Sequence, residues 1–198
     1  MKNHKLPSIC LIASSKDFPK IEIALKAGIR WIQFREKDLS RKEILQYAYQ
    51  LRDITSKYNC LLTINDYTDI AIAVKADGVH VGQDDLPVEV AKKIFSGIIG
   101  LSTHNIEEAI DAQQKGVDYI GFGPIFYTKT KKEALAPRGL DMLSFILTNV
   151  KIPVLAIGGI KSENLGELKE IGCSYVAVSS GILEGDVVKN VEKFFKFF

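Results

Sequence analysis

Short apolar runs recur along this chain at residues 8–13, 29–33, 61–64, 78–81, 98–101, 118–122, 153–157 and 175–178, and most are continuous rather than alternating. Continuous runs of this length are what a parallel sheet buried on both faces requires. Between them lie segments with helix starts and stops. Pro19 suits a helix start and Gly28 an exit. Ser40-Arg41-Lys42-Glu43 has the capping-box pattern, and Ile44, Ala48, Leu51 and Thr55 then share one helical face. Further helices are expected over 70–74, 87–95, 105–115, 140–147 and 186–195, with one more capped by Ser162 and stopped by Gly172. A helix-ending glycine followed by an apolar strand repeats at Gly28, Gly78, Gly116 and Gly172. Alternating units of this kind predict an α/β fold, a single-domain (β/α)₈ TIM barrel spanning 1–198. A doubly wound open sheet is the alternative.

A chain of 198 residues is long enough for one sizeable core, and no linker or low-complexity segment divides it. The net charge of +2 is too small and too evenly spread for a nucleic-acid or polybasic membrane surface. No apolar run reaches membrane-spanning length, and the start lacks the apolar core of a signal peptide. Cys10, Cys60 and Cys173 lie beside apolar stretches without metal-ligand spacing, as reduced thiols of a cytoplasmic protein would.

In such a barrel the active site forms at the C-terminal ends of the strands. The polar residues cluster there. Gln33, Arg35 and Lys37 share one face if the second strand continues, with Ile32, Phe34 and Glu36 on the other. Buried cations need carboxylates or an anionic ligand. Asn65 and Asp66 follow the third strand, Gln83, Asp84 and Asp85 the fourth, and Ser102 and His104 the fifth. Asp66 and Asp85 form a sparse oxygen site of the kind that holds Mg²⁺ together with substrate phosphate oxygens. Asp66 equally suits a helix cap, and Asp85 a turn. Arg35, Lys37 and Lys131 could neutralise a metal-bridged diphosphate, although Lys131, beside Lys129 and Lys132, also reads as a solvated loop charge. Gly158-Gly159 and Ser179-Ser180-Gly181 end the last two strands, where these barrels often bind phosphate; tight turns explain them as well. Thr128 and Thr130 stand in the long irregular segment 123–139 and could bond an anionic group of a second substrate. His80, within a strand, reads as core; His104 could be an acid or base, although a histidine beside a helix cap is more often a structural hydrogen-bonder. The residues alone point to a barrel enzyme handling two phosphorylated small molecules, one as a Mg²⁺-diphosphate.

Taken in order, Gln33-Phe34-Arg35-Glu36-Lys37, Ile64-Asn65-Asp66, residues 78–85 (GVHVGQDD), residues 100–104 (GLSTH), residues 121–126 (GFGPIF) with Thr128-Lys129-Thr130-Lys131, Pro137-Arg138-Gly139-Leu140 and Ala156-Ile157-Gly158-Gly159-Ile160 resemble the thiamine-phosphate synthase family. The resemblance covers nearly the whole chain. It implies a transferase that joins 4-amino-2-methyl-5-(diphosphooxymethyl)pyrimidine to a carboxythiazole or thiazole phosphate. Thiamine phosphate and pyrophosphate result, through a dissociative pyrimidine cation. By this resemblance Gln33, Arg35, Lys37, Asn65, Ser102 and Lys131 hold the pyrimidine diphosphate, with Arg35, Lys37, Ser102 and Lys131 the catalytic group. Asp66 and Asp85 hold Mg²⁺, and Thr128, Thr130, Gly159, Ser179 and Ser180 hold the thiazole phosphate. The expected partners are phosphorylated small molecules, with no nucleic acid and no membrane; a homo-oligomer is compatible with this reading. Two stretches depart from the family pattern. Cys10-Leu11-Ile12-Ala13-Ser14 stands where a Tyr-x-Ile-Thr-Asp-like run is common, and Phe126-Tyr127-Thr128 stands where Phe-Pro-Thr is usual. The alternatives are a related thiazole tautomerase, which carries a catalytic histidine where this chain has Pro124, a catalytically idle ligand-binding regulator, and a phosphate-handling barrel isomerase of another pathway.

Overall fold

The computed structural model describes residues 6–128 and 136–198. Strands β1 (Ile9–Ala13), β2 (Trp31–Phe34), β3 (Leu61–Asn65), β4 (Gly78–Val81), β5 (Ile98–Thr103), β6 (Tyr119–Phe122), β7 (Val154–Ile157) and β8 (Tyr175–Val178) follow one another round a closed barrel. All neighbours are parallel. Leu11 of β1 pairs with Ile32 on one side and Val178 on the other, which closes the ring. The expected barrel is therefore observed, and the open sheet is not. Helices α1 (Phe18–Lys26), α2 (Arg41–Lys57), α3 (Thr68–Ala73), α4 (Val88–Ile94), α5 (Ile106–Gln114), α6 (Gly139–Asn149), α7 (Leu165–Glu170), α8 (Ser180–Leu183) and α9 (Val187–Phe195) complete the described elements. No helix among the described residues is long and apolar enough to cross a membrane.

The helix starts follow from local chemistry. The Ser40 hydroxyl accepts from the Glu43 amide, and the Glu43 carboxylate accepts from the Ser40 amide, as the capping box predicts. Ile44, Ala48, Leu51 and Thr55 are the buried residues of α2. The Asn105 side chain caps α5 through the Glu108 amide, and Asp186 caps α9 through the Lys189 amide. The helix expected over 70–74 runs Thr68–Ala73, and another start differs more. Residues Ser162–Asn164 form a single 3₁₀ turn, and α7 starts only at Leu165. Asn164, not Ser162, closes this start, its side-chain oxygen accepting from the Lys161 amide at 2.9 Å. Both residue types accept at helix starts, so the local pattern does not choose between them.

Alternation along each strand separates two cores. Ile32 and Phe34 face the surrounding helices, while Trp31 joins Leu6, Cys10, Ile98, Tyr119, Leu155 and Ala177 inside the barrel. There Trp31 meets Tyr119 edge-on at 5.0 Å and donates its indole N–H to the Thr63 hydroxyl at 2.9 Å. Gly100 makes room for Tyr119, since a Cβ at that position would fall 2.1 Å from the ring. This packed plug fills the barrel floor and leaves the mouth above it for chemistry.

Candidate active site

The mouth is built from the strand ends, and each strand contributes by its pleat. On β2, Gln33 points inward and is 3% exposed. Its amide donates to Asn65 Oδ1 at 2.8 Å, and its carbonyl oxygen is the nearest partner of the Cys10 thiol at 3.9 Å. Asn65 in turn donates to Asp66 Oδ1 at 2.5 Å, and Asp66 Oδ2 takes the Lys37 ammonium at 2.5 Å. A continuous polar line thus runs from the floor at β1 to the rim beyond β2. Asp66 has φ +67, a left-handed backbone that is uncommon outside glycine. The helix after it is entered at Tyr67 without a side-chain cap, so Asp66 is not the capping residue.

Asp85 lies across from Asp66. Its Oδ2 accepts from the Gly82 amide at 2.7 Å, closing the turn after β4. Burial pushes the Asp85 carboxyl above its usual range. The adjacent Asp66 carboxylate adds to this, against the Gly82 amide and Lys37. The two carboxylates therefore share a space that calls for a cation. Among the described residues no set of three or more His, Cys, Asp or Glu side chains comes together as a metal cage.

On the other side of the mouth is a cavity of about 150 Å³. Arg35, Ser102, His104, Thr128, Gly159, Ser179 and Ser180 line it, with Ile12, Ile157, Ala177 and Val178 supplying an apolar wall and Pro124 a further side. The turn after β7 is pinned by Phe126 N–H to Gly158 O (3.1 Å), Ile125 N–H to Ile157 O (2.8 Å) and the Asn164 amide to Gly159 O (3.0 Å). Gly158 and Gly159 have φ +96 and +64. Ser179 and Ser180 open the short α8, which the sequence alone shows only as a turn.

The structure thus gathers the expected residues in two groups. Gln33, Lys37, Asn65, Asp66 and Asp85 stand at the ends of β2 to β4, and Thr128, Gly159, Ser179 and Ser180 beyond β6 to β8. Arg35 and Ser102 line the cavity together with the second group. Thr130 and Lys131 lie outside the described residues.

His80 gains a place here that the sequence reading did not give it, and Gln83 and His104, expected at the mouth, gain partners. His80 is buried as expected, but it connects the site to the floor. Its Nε2 lies 2.9 Å from the Ser102 hydroxyl and its Nδ1 3.1 Å from the Tyr119 hydroxyl. Gln83 donates to the Ser102 carbonyl at 2.6 Å, so Ser102 is held through side chain and backbone. His104 bonds Glu108 at 3.1 Å, as a structural histidine would, and also faces the cavity. The sequence signal for His80 was its parity with inward-facing Val-flanked β4 positions, which becomes informative only once the barrel is closed.

Burial lowers the His80 pKa from 6.5 to about 4, with Arg35 pushing the same way and Asp85 opposing. The imidazole is therefore neutral at neutral pH. The folded-state value lies below the unfolded one, so the unfolded chain binds the extra proton. This contribution to stability is present above 6.5 and is lost as pH falls toward 4. His80→Gln should flatten the acid limb of unfolding free energy between about pH 6.5 and about pH 4 by on the order of 3 kcal/mol, read from urea melts. An unchanged acid limb would remove His80 as its source.

The family model described as thiamine monophosphate synthase matches residues 9–182. A thiamine-phosphate synthase of Chloroflexus aurantiacus is 44% identical over 169 residues, covering 85% of this chain and 78% of that protein. One from Ruminiclostridium cellulolyticum is 45% identical over 181 residues, covering 90% and 86%. A solved thiamine phosphate pyrophosphorylase from Pyrococcus furiosus superimposes with a TM-score of 0.87 at 36% identity, covering 96% of this chain and 94% of that one. A 3-hexulose-6-phosphate synthase superimposes with a TM-score of 0.74 at 12% identity and shares the fold alone.

Proposed function

The chain belongs to the thiamine monophosphate synthase family and is a transferase, and from that premise we propose how its barrel mouth carries out the coupling. The reaction joins a pyrimidine diphosphate to a thiazole phosphate and releases pyrophosphate. The observation that carries the assignment of the two substrates is the division of the mouth. A half with paired carboxylates and the Lys37 ammonium adjoins a cavity with a glycine turn, two serines and the Arg35 guanidinium. Two phosphate-binding chemistries side by side suit two phosphorylated substrates held differently. Pro124 on the cavity wall, where a tautomerase would carry its histidine, supports the synthase reading.

Mg²⁺ fits the first half. The donors are hard oxygens, and burial, with the Asp66 carboxylate adding to it, raises the Asp85 carboxyl, a strain that a divalent cation would relieve. Asp66 and Asp85 would hold the ion, which supplies charge neutralisation for the diphosphate when bound. Arg35 and Lys37 neutralise the oxygens of the departing pyrophosphate. Lys131 adds its charge to theirs, and Gln33 and Asn65 bind the pyrimidine diphosphate at its other end. Ser102, held by His80 and Gln83, donates where charge develops. The C–O bond to the diphosphate breaks first, and the electron-rich aminopyrimidine carries the resulting cation. The apolar wall of Ile12, Ile157, Ala177 and Val178 keeps water from that carbon. Thr128, Thr130, Gly159, Ser179 and Ser180 hold the thiazole phosphate so that its ring nitrogen attacks the carbon. No nucleophile or strong base is required of the protein.

The test is pyrophosphate release by the purified chain. Release is expected only with both substrates and Mg²⁺, and a chelator should lower it by about 100-fold or more. Full release in chelator would remove the metal from the reading. No release from folded protein would remove the coupling itself.

A further inference from the structure

Glu36 has no part in the chemistry of the mouth, although it sits between Arg35 and Lys37, the two cations that meet the diphosphate. It is 6% exposed, and among the described residues no lysine or arginine pairs with it. A buried carboxylate without a cation is costly unless its oxygens are filled. Here four donors fill them. Oε2 accepts the Ser15 amide at 3.1 Å and the Ser15 hydroxyl at 2.5 Å. Oε1 accepts the amides of Lys37 at 3.0 Å and Asp38 at 3.3 Å. Burial pushes this carboxyl up, but the bonds from Ser15, Asp38 and Lys37 outweigh it and hold it below its usual range.

The clasp spans two loops. Ser15 belongs to the single turn after β1, which is itself fixed by Asp17, whose Oδ2 accepts the Ser14 amide and hydroxyl at 2.8 Å each. The amides of Lys37 and Asp38 belong to the loop after β2. Beside them the Arg35 amide bonds the Ala13 carbonyl at 2.9 Å. The backbone on both sides of Arg35 and Lys37 is therefore fixed to β1, while the long lysine stem keeps its freedom to leave Asp66 for a phosphate oxygen. On the basis of the synthase reading, we propose that Glu36 is a positioning residue for the pyrimidine diphosphate. It touches no substrate. It locks the loops after β1 and β2 together so that the cations of Arg35 and Lys37 meet the diphosphate. The stretch that departs from the family pattern, Ala13-Ser14 with Ser15 following, is the other half of this clasp.

The experiment measures kcat and both KM values, with thermal unfolding alongside, for the full chain and for Glu36→Ala, Glu36→Gln and Ser15→Ala. Glu36→Ala should raise KM for the pyrimidine diphosphate by about tenfold and leave KM for the thiazole phosphate within about twofold. Glu36→Gln keeps one acceptor oxygen for the Lys37 and Asp38 amides but turns an amide group toward the Ser15 N–H, so it should restore part of the loss. Ser15→Ala keeps its own N–H and should shift the same KM by about threefold. If Glu36→Ala does not fold, the other two variants carry the test. KM values that move together for both substrates, or losses that follow only the folded fraction, would overturn the proposal. A wild-type chain without pyrophosphate release would instead overturn the synthase reading on which it rests.

Discussion

Asp85→Ala is expected to lower pyrophosphate release by about 100-fold or more while thiazole-phosphate binding stays within about twofold. Removing one of two carboxylates halves the oxygen site, because no third His, Cys, Asp or Glu stands ready among the described residues. The same side chain also closes the turn after β4 through the Gly82 amide. Asp85→Asn separates these roles. The amide oxygen still accepts from Gly82, but the charge is gone. Turnover in Asp85→Asn should therefore fall at low Mg²⁺ and recover partly at high Mg²⁺, with the unfolding temperature close to wild type. Wild-type turnover at limiting Mg²⁺ would take Asp85 out of the metal site.

Gly159→Ala should act on the opposite substrate. A Cβ there would lie 2.4 Å from the Tyr127 carbonyl and 2.8 Å from Phe126 Cβ. The residue also has φ +64, where an alanine costs about 1–2 kcal/mol before any collision. The turn has no easy way to yield, since its carbonyls are tied to Phe126 and Asn164. KM for the thiazole phosphate should rise by about tenfold or more, with a smaller change for the pyrimidine diphosphate. Titration of the thiazole phosphate into the folded variant checks this directly. Unaltered thiazole-phosphate affinity would mean that the β7 turn does not hold the phosphate.

What was legible in the sequence was what local pattern determines. Continuous apolar runs such as VLAI and YVAV identify themselves because both of their faces are buried. Ser40 and Glu43 cap one another within four residues, so their pattern needs no tertiary partner. The polar clusters at the strand ends were visible for the same reason, since they interrupt those runs. The line through His80, Ser102 and Tyr119 was not visible, because it joins β4, β5 and β6 and depends on the register between strands. Glu36 was hidden more deeply. The pattern places it only on the strand face of Ile32 and Phe34, and Ser15, which fills its second carboxylate oxygen, lies 21 positions earlier. Ser180 was read as part of a turn, although the chain makes a short helix there, since Ser-Gly suits either.

Closure of the barrel has a further consequence for how copies of this chain can meet. Because β1 pairs with β8, every strand has a hydrogen-bonded neighbour on each side. Among the described residues there is no free edge onto which another chain could add a strand, so the barrel gives templated sheet growth no starting point. The surfaces that the barrel leaves for contact with another copy are the outer helices and the rim. The outer helices carry the exposed apolar side chains Val90 and Ile94 of α4, Ile110 of α5, and Met142 and Phe145 of α6.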